Sequence, residues 1–252
     1  MVLLIDVGNS NIVLGLAEDG QIQKTFRLKS VLSKTSDEYY FQIRPILEAY
    51  PIQDIIISSV VPIITSALKK VFVNHYGTTP LIMGPGIKTG VQLKVDDPKT
   101  VGADIICDVA ALKGLADEAI IVDLGTATKY IYQKNQVFHG VSIAPGITIS
   151  MQALVNRAAL LPSVELICPK KVIGTNTITS IQSGVLFGAA SQVDGMINRI
   201  KEELNQNDLK VYATGGLAGL IVPLCKNELI HLKDLTLQGL LKIYELNQKE
   251  QL

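Results

Sequence analysis

Two segments of the chain combine residue types that suit phosphate chemistry. The first is Asp6-Val7-Gly8-Asn9-Ser10-Asn11 and the second is Asp123-Leu124-Gly125-Thr126-Ala127-Thr128, and each follows three aliphatic residues. Glycine lets the backbone approach a ligand, amide and hydroxyl groups donate to phosphate oxygens, and a carboxylate holds a cation. One such segment alone is more typical of an ordinary tight hairpin. Two in the same register favour a polyphosphate site to which both copies contribute.

The repeated pattern extends beyond these segments and predicts a duplicated α/β protein. Strands separated by turns are predicted over 12–17 and 21–28 in the first copy, and over 130–133 and 137–143 in the second. Further strands are predicted over 55–60 and 210–213, and helical spacing is found over 37–49, 64–76, 104–115, 147–159, 177–203 and 236–247. This alternation indicates mixed sheets flanked by helices, in two domains covering 1–115 and 116–252.

A third glycine segment follows the strand predicted at 210–213. Thr214-Gly215-Gly216 stands before a helix, where bare backbone admits a flat base or a ribose. Taken alone, these glycines are equally typical of a helix N-terminus that needs glycine for close packing. Beside two phosphate-type segments, we interpret them as the adenosine end of an ATP site.

Asp104 is the candidate general base. It lies where a helix should begin, so the helix dipole favours its negative charge, and an ordinary helix cap explains it equally well. As a base it would accept the proton of a substrate hydroxyl that attacks the terminal phosphorus of ATP. Asp108, one turn further on, either raises the pKa of one of the pair or is a solvated helix residue.

Composition excludes several classes of function. The 252 residues include 23 Lys+Arg and 23 Asp+Glu, for a net charge of zero, so nucleic acids and anionic membranes are poor candidates as partners. No apolar stretch reaches the roughly 20 residues of a membrane helix. Three widely spaced cysteines and an N-terminus without a basic region predict reduced, mostly buried thiols and a cytoplasmic protein. The three histidines are scattered, which disfavours a transition-metal site.

The order of the motifs along the chain is the most specific signal. They lie at 6–10, 58–62, 102–104, 123–128, 143–147, 161–166, 176–177, 213–217 and 234–240. In this order, and over nearly the whole chain, they resemble type III pantothenate kinases. The resemblance implies a two-domain duplicated ribonuclease H-like (actin-like ATPase) fold of the acetate/sugar kinase, Hsp70 and actin superfamily. It also implies a homodimer that binds its substrate near the subunit interface.

The implied reaction is ATP-dependent phosphorylation of pantothenate to 4′-phosphopantothenate, the first step of coenzyme A biosynthesis, with Mg²⁺ and a monovalent cation, K⁺ or NH₄⁺. Asp104 would be the catalytic proton acceptor. Asp6 would hold Mg²⁺, directly or through water, and Asp123 the monovalent cation. The expected ATP contacts are Asp6, Val7, Gly8, Asn9, Ser10, Asn11, Ile12, Val13, Gly125, Thr126, Gly215 and Gly216. The expected pantothenate contacts are Gly102, Ala103, Asp104, Ile105 and Thr177, although Asn176 and Thr177 also suit a helix cap.

The chain departs from the family pattern on the acceptor side. Ile105 stands where the family has arginine, Val95 where it has tyrosine, and Lys129 and Ile131 where it has threonine and aspartate. Two alternatives therefore stay open: a catalytically weakened paralogue that binds nucleotide in a regulatory role, and a kinase for a different small hydroxyl compound.

Overall fold

The computed structural model describes residues 1–248 and contains eleven strands and seven α-helices in that range. The strands are β1 (Val2–Val7), β2 (Asn11–Glu18), β3 (Gln21–Lys29), β4 (Asp54–Ser59), β5 (Leu81–Ile82), β6 (Gln92–Leu93), β7 (Glu118–Leu124), β8 (Ala127–Lys134), β9 (Val137–Pro145), β10 (Lys210–Thr214) and β11 (Ile230–His231). The helices are α1 (Ser36–Ala49), α2 (Pro62–Tyr76), α3 (Ala103–Ala111), α4 (Ile147–Arg157), α5 (Thr177–Leu204), α6 (Ala218–Ile221) and α7 (Leu235–Gln248). They form two compact units: Met1–Leu115 together with α7, and Ala116–Asp234.

The first unit is built on a mixed sheet with strand order β3-β2-β1-β4-β5. Strand β1 runs antiparallel to β2 and parallel to β4. Its side chains Leu3, Leu4, Ile5 and Val7 are fully buried, because a central strand covered on both faces must be apolar almost throughout. The polar exception in this strand is Asp6, near its carboxyl end.

The second unit repeats this topology. Strands β9, β8, β7, β10 and β11 are neighbours in that order, with β7 antiparallel to β8 and parallel to β10. Asp123 occupies the place in β7 that Asp6 has in β1. The predicted duplication and the mixed sheets flanked by helices are therefore confirmed.

The C-terminal helix α7 differs from the sequence expectation, which placed it with residues 116–252. It packs in the first unit, where Leu237, Leu240 and Ile243 share a core with Leu4 and Ile56. Gly239 lies so close to the carbonyl oxygen of Cys107 that any side chain would overlap the α3 backbone. Helices α3 and α7 can approach this closely only because a glycine is present.

Most predicted elements occur within two residues of their expected ends. The main exception is α3, which ends at Ala111 rather than at 115. Helix α5 begins with a capping box in which Asn176 is the cap and accepts a bond from the Thr179 amide. No helix among residues 1–248 has both the length and the hydropathy needed to cross a membrane.

Candidate active site

The first phosphate-type loop begins at the carboxyl end of β1. The hydroxyl of Ser58, a fully buried residue on β4, donates to Asp6 Oδ1 at 3.1 Å. Ser58 can do so because the parallel register of β1 and β4 sets it beside Asp6. A carboxylate that accepts such a bond is held in one orientation.

The loop itself is closed by hydrogen bonds around Gly8. The Gly8 amide donates to the carbonyl of Asn11 at 2.9 Å, and the hydroxyl of Ser30 donates to the Gly8 carbonyl at 2.6 Å. These bonds leave Asn9 and Ser10 exposed at the tip of the turn. The tip thus presents amide and hydroxyl groups of the kind that bind phosphate oxygens.

Asp104 lies in the first turn of α3, as predicted. Its Oδ1 accepts a hydrogen bond from the amide of Ile105 at 2.9 Å. The N-cap position is taken by Gly102, and a side chain there would overlap the Asp104 carboxylate. Asp104 is therefore not the cap, and the glycine leaves room for its carboxylate beside the amide end of the helix.

A buried thiol indicates that Asp6 and Asp104 lie near each other. Burial raises the pKa of Cys107 well above its usual value, and the charges of Asp6, Asp108 and Asp104 raise it further, while the Ser58 hydroxyl lowers it. Each of these groups is therefore close enough to the Cys107 thiol to act on its pKa. The structure brings the candidate magnesium ligand and the candidate base to the same region.

Asp108 is not a solvated helix residue. It is fully buried, and the hydroxyl of Thr236 on α7 donates to its Oδ1 at 2.6 Å. The buried carboxylate of α3 is thus hydrogen-bonded to the second residue of α7. The cysteines differ from the expectation that they are mostly buried. Cys107 is buried, whereas Cys168 and Cys225 are only half-buried.

The second phosphate-type loop, in the second unit, is enclosed by glycines. A Cβ on Gly215 would lie 2.6 Å from Asp123 Oδ1, and Gly215 has a positive φ of 96° that side chains rarely adopt. A Cβ on Gly146, the residue before α4, would overlap the carbonyls of Gly125 and Thr126. The backbone can therefore close tightly around the Asp123 carboxylate and the Gly125–Thr126 turn.

Asp123 has a cationic partner that the sequence did not assign to it. The Lys129 ammonium lies 2.6 Å from Asp123 Oδ2, and the two side chains are 12% and 13% exposed. The antiparallel register of β7 and β8 sets these residues directly opposite each other.

Thr177 lines a cavity of about 880 Å³ within the second unit. The cavity wall also includes Pro145, Ser150, Asn176, Ser180 and Gln192. Hydroxyl and amide groups on an otherwise apolar wall suit a small polar molecule with an aliphatic body. Ile105, by contrast, is 6% exposed and lies in the first unit.

A family model decides the classification. The model of type III pantothenate kinase matches residues 2–199. The chain belongs to this family. It is 42% identical over 249 residues to the type III pantothenate kinase of Acholeplasma laidlawii, with 99% of this chain and 100% of the relative covered. It is 47% identical over 257 residues to that of Halalkalibacterium halodurans, covering 98% of this chain and 100% of the relative.

A solved structure supports the fold assignment. The activator of 2-hydroxyisocaproyl-CoA dehydratase from Clostridium difficile, with bound ADPNP, aligns with a TM-score of 0.58 at 12% identity. The alignment covers 99% of this chain and 97% of that one. At this identity the likeness establishes the fold, which is that of actin-like ATPases and sugar kinases, and nothing more.

Sequence reasoning missed three residues of this region. Ser58 was part of a recognised motif, and its place at the end of an apolar strand is a weak signal for a partner of Asp6. The turn between β7 and β8 sets the register of this hairpin. Had that turn been assigned from the sequence, Lys129 would have been paired with Asp123. Nothing in the sequence indicates that Thr236 bonds to Asp108, 128 residues away.

Proposed function

We propose that the protein catalyses ATP-dependent phosphorylation of pantothenate to 4′-phosphopantothenate, the first step of coenzyme A biosynthesis. The main support is family membership, with relatives at 42% and 47% identity along the whole chain. The structural observation that carries the proposal is the grouping of Asp6 and Asp104 around Cys107, at the end of a phosphate-type hairpin.

The nucleotide is ATP with a divalent metal ion, and we assign Mg²⁺ to it. The residues fit this ion, because Mg²⁺ prefers carboxylate and water oxygens and Asp6 offers an oriented carboxylate. Mg²⁺ offsets negative charge on the phosphates when it is bound. Asp6 would hold it directly or through water. The other ATP contacts in the proposal are residues 7–13, Gly125, Thr126, Gly215 and Gly216.

Asp104 is the proposed catalytic residue. It accepts the proton of the pantothenate hydroxyl as that oxygen attacks the terminal phosphorus of ATP, and it orients the hydroxyl for the attack. Gly102, Ala103, Ile105 and Thr177 are the proposed pantothenate contacts. The hydroxyl and amide groups that line the cavity beside Thr177 support its place in this group.

The monovalent cation does not fit the residues in the same way. K⁺ or NH₄⁺ was assigned to Asp123 by resemblance, but the carboxylate already has the Lys129 ammonium at 2.6 Å. A second cation in contact with the same oxygen would be repelled by the positive charge of that group. The proposed reaction therefore has no role for K⁺ or NH₄⁺.

The proposal extends to the assembly and location of the protein. A homodimer is supported by exposed apolar side chains of the second unit, among them Ile143, Leu160 and Ile173 at 65%, 94% and 82% exposure. A cytoplasmic location is supported by the free cysteines, which persist where thiols are kept reduced.

The test is a coupled assay of ADP release with ATP, Mg²⁺ and pantothenate, with the product identified by mass spectrometry. The matched control is a pantothenate analogue that lacks the acceptor hydroxyl, which should give no turnover. A folded preparation that binds ATP but releases no pantothenate-dependent ADP would reject the activity and favour the regulatory paralogue.

A kinase for another small hydroxyl compound is the second candidate. It is favoured by Ile105, an apolar and nearly buried side chain where the family has a charged one. Losing a charge-assisted hydrogen bond costs roughly 1.5–3 kcal/mol, or about ten- to a hundredfold in acceptor binding. Higher kcat/KM with another acceptor in a substrate panel would support this candidate over pantothenate.

A further inference from the structure

The Asp123–Lys129 pair is part of the second phosphate-type loop rather than a surface salt bridge. Its two charged groups are 2.6 Å apart, and both side chains are nearly buried. Two glycines leave space around the carboxylate: a Cβ on Gly125 would lie 3.4 Å from Asp123 Oδ1, and one on Gly215 would lie 2.6 Å from it. A carboxylate enclosed in this way needs a compensating positive charge.

The duplication indicates that the hairpin itself does not require this lysine. In the first unit the residue opposite Asp6 on the antiparallel strand is Val13, whereas in the second unit Lys129 lies opposite Asp123. On the parallel side both carboxylates have a buried hydroxyl residue beside them, Ser58 and Thr214. The two copies therefore share the carboxylate and the hydroxyl, and they differ in the residue opposite the carboxylate on the antiparallel strand.

The lysine side chain ends in an alkylammonium group, which has the same charge as NH₄⁺ and is held on a tether. Its contact with Asp123 supplies one positive charge in a place that a monovalent cation from solution would otherwise fill. A tethered ion needs no binding from solution, so its effect does not depend on cation concentration.

We propose that Lys129 is a positioning residue that supplies the resident cation of the second phosphate-type loop, so that ATP binding and turnover require neither K⁺ nor NH₄⁺. Lys129 keeps the Asp123 carboxylate charge-compensated, and this allows the Gly125–Thr126 turn to accept the negatively charged phosphates. The inference is tested by two measurements, turnover and ATP affinity. The turnover measurement rests on the proposed function, whereas the affinity measurement requires only that the protein binds ATP.

The first experiment uses the unaltered protein. ATP affinity by calorimetry, and pantothenate-dependent turnover, are measured in KCl, NH₄Cl and choline chloride at constant ionic strength. We expect both quantities to agree within about twofold across the three salts, because a cation that does not bind cannot shift an equilibrium. Stimulation of about tenfold or more by K⁺ or NH₄⁺ would overturn the proposal.

The second experiment compares two substitutions of the same lysine. Lys129→Thr removes the ammonium and leaves space beside Asp123, whereas Lys129→Met removes the charge but fills most of the volume. In choline chloride both variants should bind ATP about 10–100-fold more weakly. NH₄Cl and KCl should restore binding to the threonine variant and much less to the methionine variant. A purely structural role would lower both affinities with no difference between salts, and that result would also overturn the proposal.

Lys134→Thr is the matched control. Lys134 lies on the same strand and pairs with Glu118 across the same hairpin, with 2.9 Å between the charged atoms, but at the far end from the loop. Its substitution should leave ATP affinity unchanged in every salt.

The two proposals fail in different ways. If no salt supports pantothenate-dependent turnover, the proposed function fails, while ATP binding still tests Lys129. If turnover occurs but depends on K⁺ or NH₄⁺, the inference about Lys129 fails alone.

Discussion

Replacing Asp104 by asparagine removes the proposed proton acceptor while preserving the shape of the side chain. The bond from the Ile105 amide, 2.9 Å long, can be accepted by an amide oxygen as well as by a carboxylate. The variant loses a negative charge in the first turn of α3, and that loss is worth about 0.3–1 kcal/mol of unfolding free energy. For a chain of this size, that lowers the melting temperature by about 1–4 °C.

The kinetic effect of Asp104→Asn should be much larger than its effect on stability. Loss of a positioned general base lowers kcat by about 10²–10⁴-fold. At about 1.4 kcal/mol for each factor of ten, this corresponds to roughly 3–5 kcal/mol of lost transition-state stabilisation. The Kd of ATP should change little, because Asp104 acts on the acceptor hydroxyl.

The assay measures ADP release at saturating ATP and pantothenate, together with ATP affinity by calorimetry and the melting temperature. Asp97→Asn is the control. Asp97 is an exposed carboxylate whose Oδ1 accepts a 3.1 Å bond from the Lys99 amide, so it receives the same chemical change outside the site. An Asp104→Asn variant that binds ATP and keeps more than about a tenth of kcat would refute the assignment.

Three further predictions concern stability and reactivity. Gly239→Ala should lower the free energy of unfolding by about 1–3 kcal/mol in urea titrations, because the new methyl group overlaps the backbone of Cys107. Burial raises the pKa of Cys107 well above its usual value, so the thiol stays protonated and should resist iodoacetamide at pH 8 until the protein is unfolded, as peptide mass spectrometry would detect. Burial alone would raise the pKa of Asp194, but bonds from Asn227 and from the Lys226 amide lower it overall. Because the native pKa lies below the unfolded one, this stabilisation is complete above about pH 4 and is lost as the pH falls further. Asp194→Ala should therefore cost about 1–3 kcal/mol at pH 7 and less in acid, as urea titrations at both pH values would measure.

Each of these predictions has a contradicting outcome. For Gly239 the control is Gly184→Ala on α5, where an added Cβ meets no atom within 4 Å, so its stability should not fall. Equal stability of the two alanine variants would contradict the packing argument. Native Cys107 that reacts as fast as a free thiol would contradict its burial. A loss at Asp194 that is the same in acid as at pH 7 would contradict the lowered pKa.

The secondary structure was predictable because its signals are local. Strand β1 is an apolar run, helix α1 has an amphipathic spacing with the capping box Thr35–Glu38, and the turn before β9 has Asn135 and Gln136 at positive φ. The duplication was also readable, since both copies keep the aliphatic run, the aspartate and the glycine. These features depend on residues within a few positions of one another.

The departures from the family pattern gained a physical meaning only in three dimensions. Ile131, where the family has aspartate, is fully buried in β8 opposite Ile121 and belongs to the core. Lys129, two positions earlier, lies on the same face of the strand, one pair closer to the loop, and meets Asp123. The two share a face because side chains alternate along a strand, and which of them lies opposite the carboxylate depends on the hairpin register.

The sequence alone determined the type and position of most strands and helices, the duplication, the family and the candidates Asp6, Asp104 and Asp123. Only the tertiary structure decided that α7 packs on α3, that Thr236 bonds to Asp108, and that Lys129 pairs with Asp123. The physical reason is the sequence range of the interactions. Local preferences depend on neighbouring residues. These contacts depend on packing and strand register, which are set by interactions across the whole fold.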